Sequence, residues 1–121
     1  MKLAAKKMQL AVVQELINNK IDWITTASNP IRIVLFGSAA NGEMTEASDL
    51  DLIVIYDNDS DLKEIQKGIF MNRPKDDWPQ DIFFYTEETY RKSRQKGGGI
   101  CWLAELEGKT IYSRKENNES K

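Results

Sequence analysis

Residues 37–56 read GSAANGEMTEASDLDLIVIY, and this stretch decides the fold. It follows the run IRIVLF at 31–36, which is short, β-branched and nearly all apolar, as expected for a strand buried on both faces. It ends in DLDLIVIY at 49–56, whose apolar half is also typical of a central strand. The sequence therefore predicts two buried strands, with Gly37-Ser38 ending the first and two aspartates opening the second.

The residues at these two strand ends suit phosphate and metal chemistry. Gly37 lets the backbone turn tightly so that the following amides face a phosphate, and Ser38 adds a hydroxyl donor. Side chains two apart on a strand point to the same side, so Asp49 and Asp51 project together while Leu50 turns toward the packing. Two such carboxylates repel unless a divalent cation neutralises them. Because Mg²⁺ is commonly bound by one or two carboxylates together with substrate phosphates, we expect a magnesium site here.

A third carboxylate belongs to the same hypothesis. Asp81 opens the apolar run 81–85 (DIFFY), predicted to be a third strand, much as Asp49 opens the second. Adjacent pairing of the two strands would bring Asp81 close to the aspartate pair, where it can bind a second metal ion or take the proton from an attacking hydroxyl. The alternative is that an aspartate two residues after Pro79 only ends a loop.

The rest of the chain reads as helices and one edge strand in a single domain over residues 1–112. Together the elements predict an α/β (α+β) fold, with a small mixed β-sheet flanked by helices. Residues 113–121 are predicted to be a disordered tail. The remaining predicted elements are a helix from near Leu3 to Ser28 that the segment 18–20 can interrupt, helices over 61–70, 87–97 and 100–108, and a strand over 110–112.

Composition excludes several kinds of site. The 121 residues include no histidine, which rules out a His-dependent triad, imidazole zinc ligands and a histidine base. The net charge of −2 lacks the basic excess of a dedicated nucleic-acid binder, so any nucleic-acid contact is local. No apolar stretch approaches the roughly 20 residues that span a bilayer, so no membrane association is expected. The single cysteine, Cys101, agrees with a reducing compartment, and we expect the cytoplasm.

The stretch from Gly37 to Tyr56 resembles the G-S…D-x-D signature of the nucleotidyltransferase superfamily that includes DNA polymerase β and kanamycin nucleotidyltransferase. The short chain and the strand DIFFYT resemble the minimal nucleotidyltransferases, which are often encoded beside an all-helical partner of the HEPN type. The resemblance covers about residues 31–85. It implies the polymerase-β-like fold, with Gly37 and Ser38 binding the triphosphate, Asp49 and Asp51 binding Mg²⁺, and Asp81 assisting.

The same resemblance implies an activity, the transfer of a nucleoside monophosphate, AMP from ATP, to a hydroxyl acceptor. The acceptor surface would come from a HEPN-type partner, with this chain as its antitoxin, or from a second copy. Ser48 is a further candidate for nucleotide binding. Many relatives carry arginine after the glycine-serine pair, where this chain has Ala39-Ala40-Asn41. The rival hypothesis is therefore a binding module that neutralises a partner by contact, without turnover.

Three other features of the sequence have both a functional and a structural interpretation. The basic residues of the 87–97 helix can meet RNA or phosphate, but acidic residues at its start and basic ones at its end also suit the helix dipole. The triple glycine 97–99 lacks the Lys-Ser or Lys-Thr of a phosphate loop and is predicted to be a hinge. Cys101 and Trp102 are predicted to be core or interface residues, because no histidine can activate the thiol.

Overall fold

The structure, a computed structural model, describes residues 6–75 and 78–115, and these form four helices and four strands. A short 3₁₀ turn, Gly37–Ala39, follows the first strand. The predicted α/β (α+β) architecture is confirmed, and the strand ends fall within one residue of the predicted ones. In chain order the elements are α1 (Leu10–Ala27), β1 (Arg32–Phe36), β2 (Leu50–Tyr56), α2 (Leu62–Met71), β3 (Gln80–Thr86), α3 (Glu87–Lys96), α4 (Ile100–Glu107) and β4 (Lys109–Ser113).

The four strands form one mixed sheet in the order β3-β2-β1-β4. β1 pairs antiparallel with both β2 and β4, whereas β2 and β3 run parallel. A parallel pair needs a crossover connection, and α2 provides it between β2 and β3. The two continuous apolar runs of the sequence are thus the two central strands, which explains why both are buried on both faces.

Alternation along the strands divides the core into two layers, one on each face of the sheet. Helices α1 and α2 cover the first face, and α3 and α4 cover part of the second. Asp51 alternates with Leu50 and Leu52, so its side chain projects on the second face. The strand residues of the first layer are Ile33, Leu35, Leu50, Leu52, Val54 and Tyr56, and those of the second are Val34, Phe36, Ile53 and Ile55.

The first helix is shorter at its start than the sequence predicted. It begins at Leu10, which is 80% exposed, and not near Leu3. Lys7 forms an antiparallel bridge with Thr45, and the Met8 amide donates to Met44 O at 2.8 Å, so this segment is extended against a distant loop. Residues 1–5 lie outside the described part of the chain. The segment 18–20 does not interrupt the helix, because α1 continues through it.

The last strand extends one residue beyond the predicted one. β4 extends through Ser113, and the Arg114 amide donates to Ile31 O at 2.8 Å. The Arg114 guanidinium pairs with Asp57 at 3.0 Å. The predicted disordered tail therefore does not begin at Ser113, and residues 116–121 lie outside the described residues.

Local capping explains where α2 and α3 begin. The Asp61 carboxylate accepts the Glu64 amide at 3.3 Å, and the Thr86 hydroxyl accepts the Thr89 amide at 3.3 Å. The triple glycine connects α3 to α4, and Cys101 is buried, as predicted. In the described residues no helix is both long and apolar enough to cross a bilayer.

A polar cluster joins β1, α3 and α4 over the second face. The hydroxyl of buried Tyr90 donates to Glu105 Oε2 at 2.6 Å. Arg94 and Arg32 approach the same oxygen at 3.4 and 3.7 Å. The hydrogen bond from Tyr90, and after it the two arginines, lower the pKa of Glu105 from its ordinary value, against the opposing effect of burial.

Glu105→Gln should reduce the free energy of unfolding at neutral pH. A carboxyl whose pKa is lowered by folding stabilises the fold above its unfolded pKa, and this contribution disappears as pH falls through the folded value. Because the Glu105 side chain is 37% exposed, we expect a loss of about 1 kcal/mol or less. Urea titrations of both proteins at pH 7 and at about pH 3 should show the difference shrinking toward acid. Exposed Glu107, on the same helix, provides the control as Glu107→Gln, and a difference independent of pH would contradict the assignment.

Candidate active site

The turn after β1 requires a glycine on two grounds. Gly37 has φ of 76°, a left-handed conformation that residues with a side chain rarely adopt. A Cβ placed on Gly37 would also lie 2.2 Å from Asp51 Oδ2. The turn is closed by hydrogen bonds from the Ala40 amide to Gly37 O and from the Glu43 amide to Ser38 O. The carboxylate of Asp51 therefore packs directly against the bare Cα of Gly37.

Strand register brings Asp51 and Asp81 side by side. Asp51 is the second residue of β2, and its partners are Phe36 on β1 and Asp81 on β3. Opposite residues on neighbouring strands share a face, so the two carboxylates project to the same side as each other. Asp49 immediately precedes β2 and is exposed. The structure thus places Gly37 and all three predicted aspartates at one end of the sheet.

The electrostatics of Asp51 reflect this crowding. Partial burial raises the pKa of the Asp51 carboxyl above its ordinary value, and the charges of Asp81 and then Asp49 raise it further. Within residues 6–75 and 78–115, no hydrogen bond or ion pair involves any of the three carboxylates. Their mutual repulsion is therefore uncompensated by a neighbouring basic side chain, and a cation bound there would reverse it.

The three aspartates do not form a closed set of metal ligands. In the described part of the chain no group of three or more acidic or cysteine side chains converges closely enough to enclose a metal ion. The expected joint metal site of Asp49, Asp51 and Asp81 stays a prediction. The donor chemistry still fits Mg²⁺, which prefers oxygen ligands and commonly takes only one or two carboxylates, with phosphate oxygens and water completing its shell.

Ser48 is placed beside this site, but its hydroxyl is used by the loop. Its Oγ accepts the Thr45 amide at 3.0 Å, and its own amide donates to Thr45 O at 3.0 Å. Its carbonyl oxygen accepts the indole N–H of Trp78 at 2.9 Å. These bonds fix the chain just before Asp49, so the predicted nucleotide-binding role of Ser48 stays a prediction.

Two residues that contact this region were not singled out from the sequence. Trp78 bonds to Ser48, and buried Lys20 of α1 donates to Trp78 O and to Gln80 Oε1. The sequence contained a signal for Lys20, because it falls three residues after Ile17 and four before Ile24, on the apolar face of the helix. The signal for Trp78 is absent, since its partners are distant in sequence.

The surface around the aspartates is open and partly apolar. Phe83 lies two residues after Asp81 on the same face of β3, is 37% exposed, and contacts Phe36 with ring centroids 6.1 Å apart. A cavity of about 780 Å³ lies elsewhere, between α1 and the segment after α2. Its lining includes Trp23 and Trp78 but none of the predicted site residues, so this cavity is separate from the candidate site.

Comparisons with known proteins agree with this arrangement. The structure is similar to the crystal structure of a candidate nucleotidyltransferase from Sulfolobus solfataricus, with a TM-score of 0.58 over 92% of this chain and 94% of that chain. The two sequences are 13% identical, so this likeness concerns the fold alone. No curated protein matches the sequence.

The family match is more specific. Residues 17–110 match the nucleotidyltransferase domain family. The matched range covers most of the chain and includes the Gly37 turn and all three aspartates. This protein therefore belongs to the nucleotidyltransferase domain family.

Proposed function

We propose that the protein transfers a nucleoside monophosphate, AMP from ATP, to a hydroxyl acceptor with the help of Mg²⁺. One observation carries the proposal, the contact between the Asp51 carboxylate and the bare Cα of Gly37. In that contact a turn suited to phosphate meets a carboxylate suited to a hard cation. A metal and a triphosphate bound together would each offset the charge of the other.

The roles of the residues follow from their positions. The amides of the Gly37 turn and the Ser38 hydroxyl would bind triphosphate oxygens, while Asp49 and Asp51 would bind Mg²⁺. Bound Mg²⁺ supplies electrostatic stabilisation of the negative charge on the transferred phosphoryl group. Asp81 would accept the proton of the acceptor hydroxyl while the hydroxyl oxygen forms its bond to the α-phosphorus. Pyrophosphate leaves as that bond forms.

The acceptor is proposed to be presented by another protein. The aspartates lie on an open sheet surface, and Trp102 and Leu106 are exposed one turn apart on α4, while Tyr112 is half-buried. Exposed apolar residues of this kind favour association. We propose a HEPN-type helical partner, modified by this chain as its antitoxin in the cytoplasm, or failing that a second copy.

A second candidate function is supported by one feature of the phosphate turn. Ala39 and Ala40 follow Ser38, so the turn carries no basic side chain of its own. A module that neutralises its partner by contact alone would need neither a basic side chain in this turn nor a metal site. The two functions differ in what the loss of the aspartates does to a partner.

Asp51→Asn should abolish transfer while preserving the fold. The substitution keeps the side-chain size but removes a metal ligand, and comparable single-group losses elsewhere cost on the order of 100-fold or more. Because the raised pKa shows that ionised Asp51 is unfavourable in the fold, the metal-free melting temperature should rise. Transfer from labelled ATP and thermal melting are the measurements, and exposed Asp59, as Asp59→Asn, is the control. Undiminished transfer would contradict the proposed role.

Nucleotide binding should depend on a divalent cation. The three carboxylates lack a basic partner in the described residues and would repel a triphosphate until a metal neutralises them. Calorimetric titration with ATP should therefore give binding in Mg²⁺ and weak or no binding in excess chelator. Equal affinity under both conditions would remove the metal from the proposal.

The double variant Asp49→Asn with Asp51→Asn separates the two candidate functions. If catalysis neutralises the partner, this variant should still bind it but lose neutralisation, measured as growth of cells that produce the partner. Asp59→Asn again serves as the control for expression and folding. If the folded double variant still neutralises the partner fully, the hypothesis of an enzyme is wrong and that of a binding module takes its place.

A further inference from the structure

The segment just before Asp81 is bonded to two other parts of the chain. Lys20, 2% exposed on α1, donates from Nζ to Trp78 O and Gln80 Oε1. The Trp78 indole N–H donates to Ser48 O at 2.9 Å, and the Leu50 amide donates to Pro79 O at 3.0 Å. The same segment thus contacts helix α1, the loop before β2 and the first residue of β2.

The residues that form these bonds are the sequence neighbours of Asp49 and Asp81. Ser48 and Leu50 flank Asp49, and both are bonded to the segment 78–80, whose last residue precedes Asp81. Leu50 and Gln80 are also the first register pair of the parallel β2–β3 ladder. A movement of this segment would therefore change the distance between Asp49 and Asp81.

The arrangement opposes a force that the site itself generates. Asp51 and Asp81 are a register pair near the start of β2 and β3, and Asp49 directly precedes β2, so ionised carboxylates at these positions repel one another. Repulsion at the start of two parallel strands favours their separation there. The bonds of the segment 78–80 link those strand starts to each other, and Lys20 links them to α1.

We propose that Trp78 and Lys20 are positioning residues that keep Asp49 and Asp81 at their working separation. The inference rests on the proposed function, because it assigns these residues to the geometry of transfer. Catalytic groups displaced by about 1 Å can lose on the order of 100-fold in rate. In this role Trp78 and Lys20 would act through the backbone on either side of the aspartates, by way of their bonds to Ser48 O, Trp78 O and Gln80.

Two tryptophan substitutions give a matched test. Trp78→Phe removes the indole bond to Ser48 O, and Trp23→Phe removes an indole bond of the same length, 2.9 Å, to Ile69 O, between α1 and α2. Trp23→Phe also keeps a ring face near Lys20, which lies over Trp23. Both variants should lower the melting temperature. Only Trp78→Phe should lower kcat, by about 10-fold or more, with a higher Mg²⁺ requirement and little change in KM for ATP.

A second readout does not depend on activity. Amide hydrogen exchange of the metal-free protein should be faster at Leu50 in Trp78→Phe than in the wild type, and unchanged at Leu50 in Trp23→Phe. If Trp78→Phe does not fold, Gln80→Met, which removes one side-chain acceptor of Lys20 and leaves Trp78 in place, should show the same faster exchange in weaker form.

The outcomes are distinct from those that test the function. A wild-type chain without transfer contradicts the proposed function, yet selective exchange at Leu50 would still support the link between the strand starts. If the wild type is active and Trp78→Phe matches Trp23→Phe in kcat, Mg²⁺ requirement and Leu50 exchange, the positioning role is overturned. The same holds if both tryptophan variants accelerate exchange at Leu50 equally.

Discussion

The contact between the Asp51 carboxylate and the Cα of Gly37 is the constraint on which the site depends. It exists because β1 and β2 pair antiparallel with Phe36 opposite Asp51, so that the residue after β1 turns across the second residue of β2. A Cβ at position 37 would overlap the Asp51 carboxylate where it now lies, and the left-handed φ independently disfavours most residues.

The same constraint imposes a cost on the fold. Asp51 is partly buried and lies near the like charges of Asp81 and Asp49, and all three effects raise its pKa. Groups arranged for function at the expense of stability must be supported elsewhere. Here the support is the central strand β2, whose residues Leu52, Ile53 and Val54 are fully buried. Charge repulsion at the strand start is thus opposed by apolar burial farther along the same strand.

Local patterns in the sequence predicted what is local in the structure. The β-branched runs predicted β1 and β2, and the two-residue period placed Asp49 and Asp51 at the start of the second. Non-local contacts could not be predicted in this way. The extended segment before α1 bridges Lys7 to Thr45, and Arg114, just after β4, pairs with Asp57. The separation of the three carboxylates likewise depends on side-chain conformations that spacing does not specify.

The order of the strands indicates from which side each substrate would approach in the proposed reaction. Asp51 lies on a central strand, with β1 and its turn on one side, so a triphosphate bound at Gly37 would lie over the β1–β2 side of the site. Asp81 lies on β3, an edge strand, and is exposed. In the proposed reaction, an acceptor hydroxyl would therefore approach Asp81 from the β3 edge, away from the side of the nucleotide. The half-exposed ring of Phe83, on the same face of β3, gives that approach an apolar surface, which suits an acceptor group carried on a protein side chain more than one on a highly charged ligand.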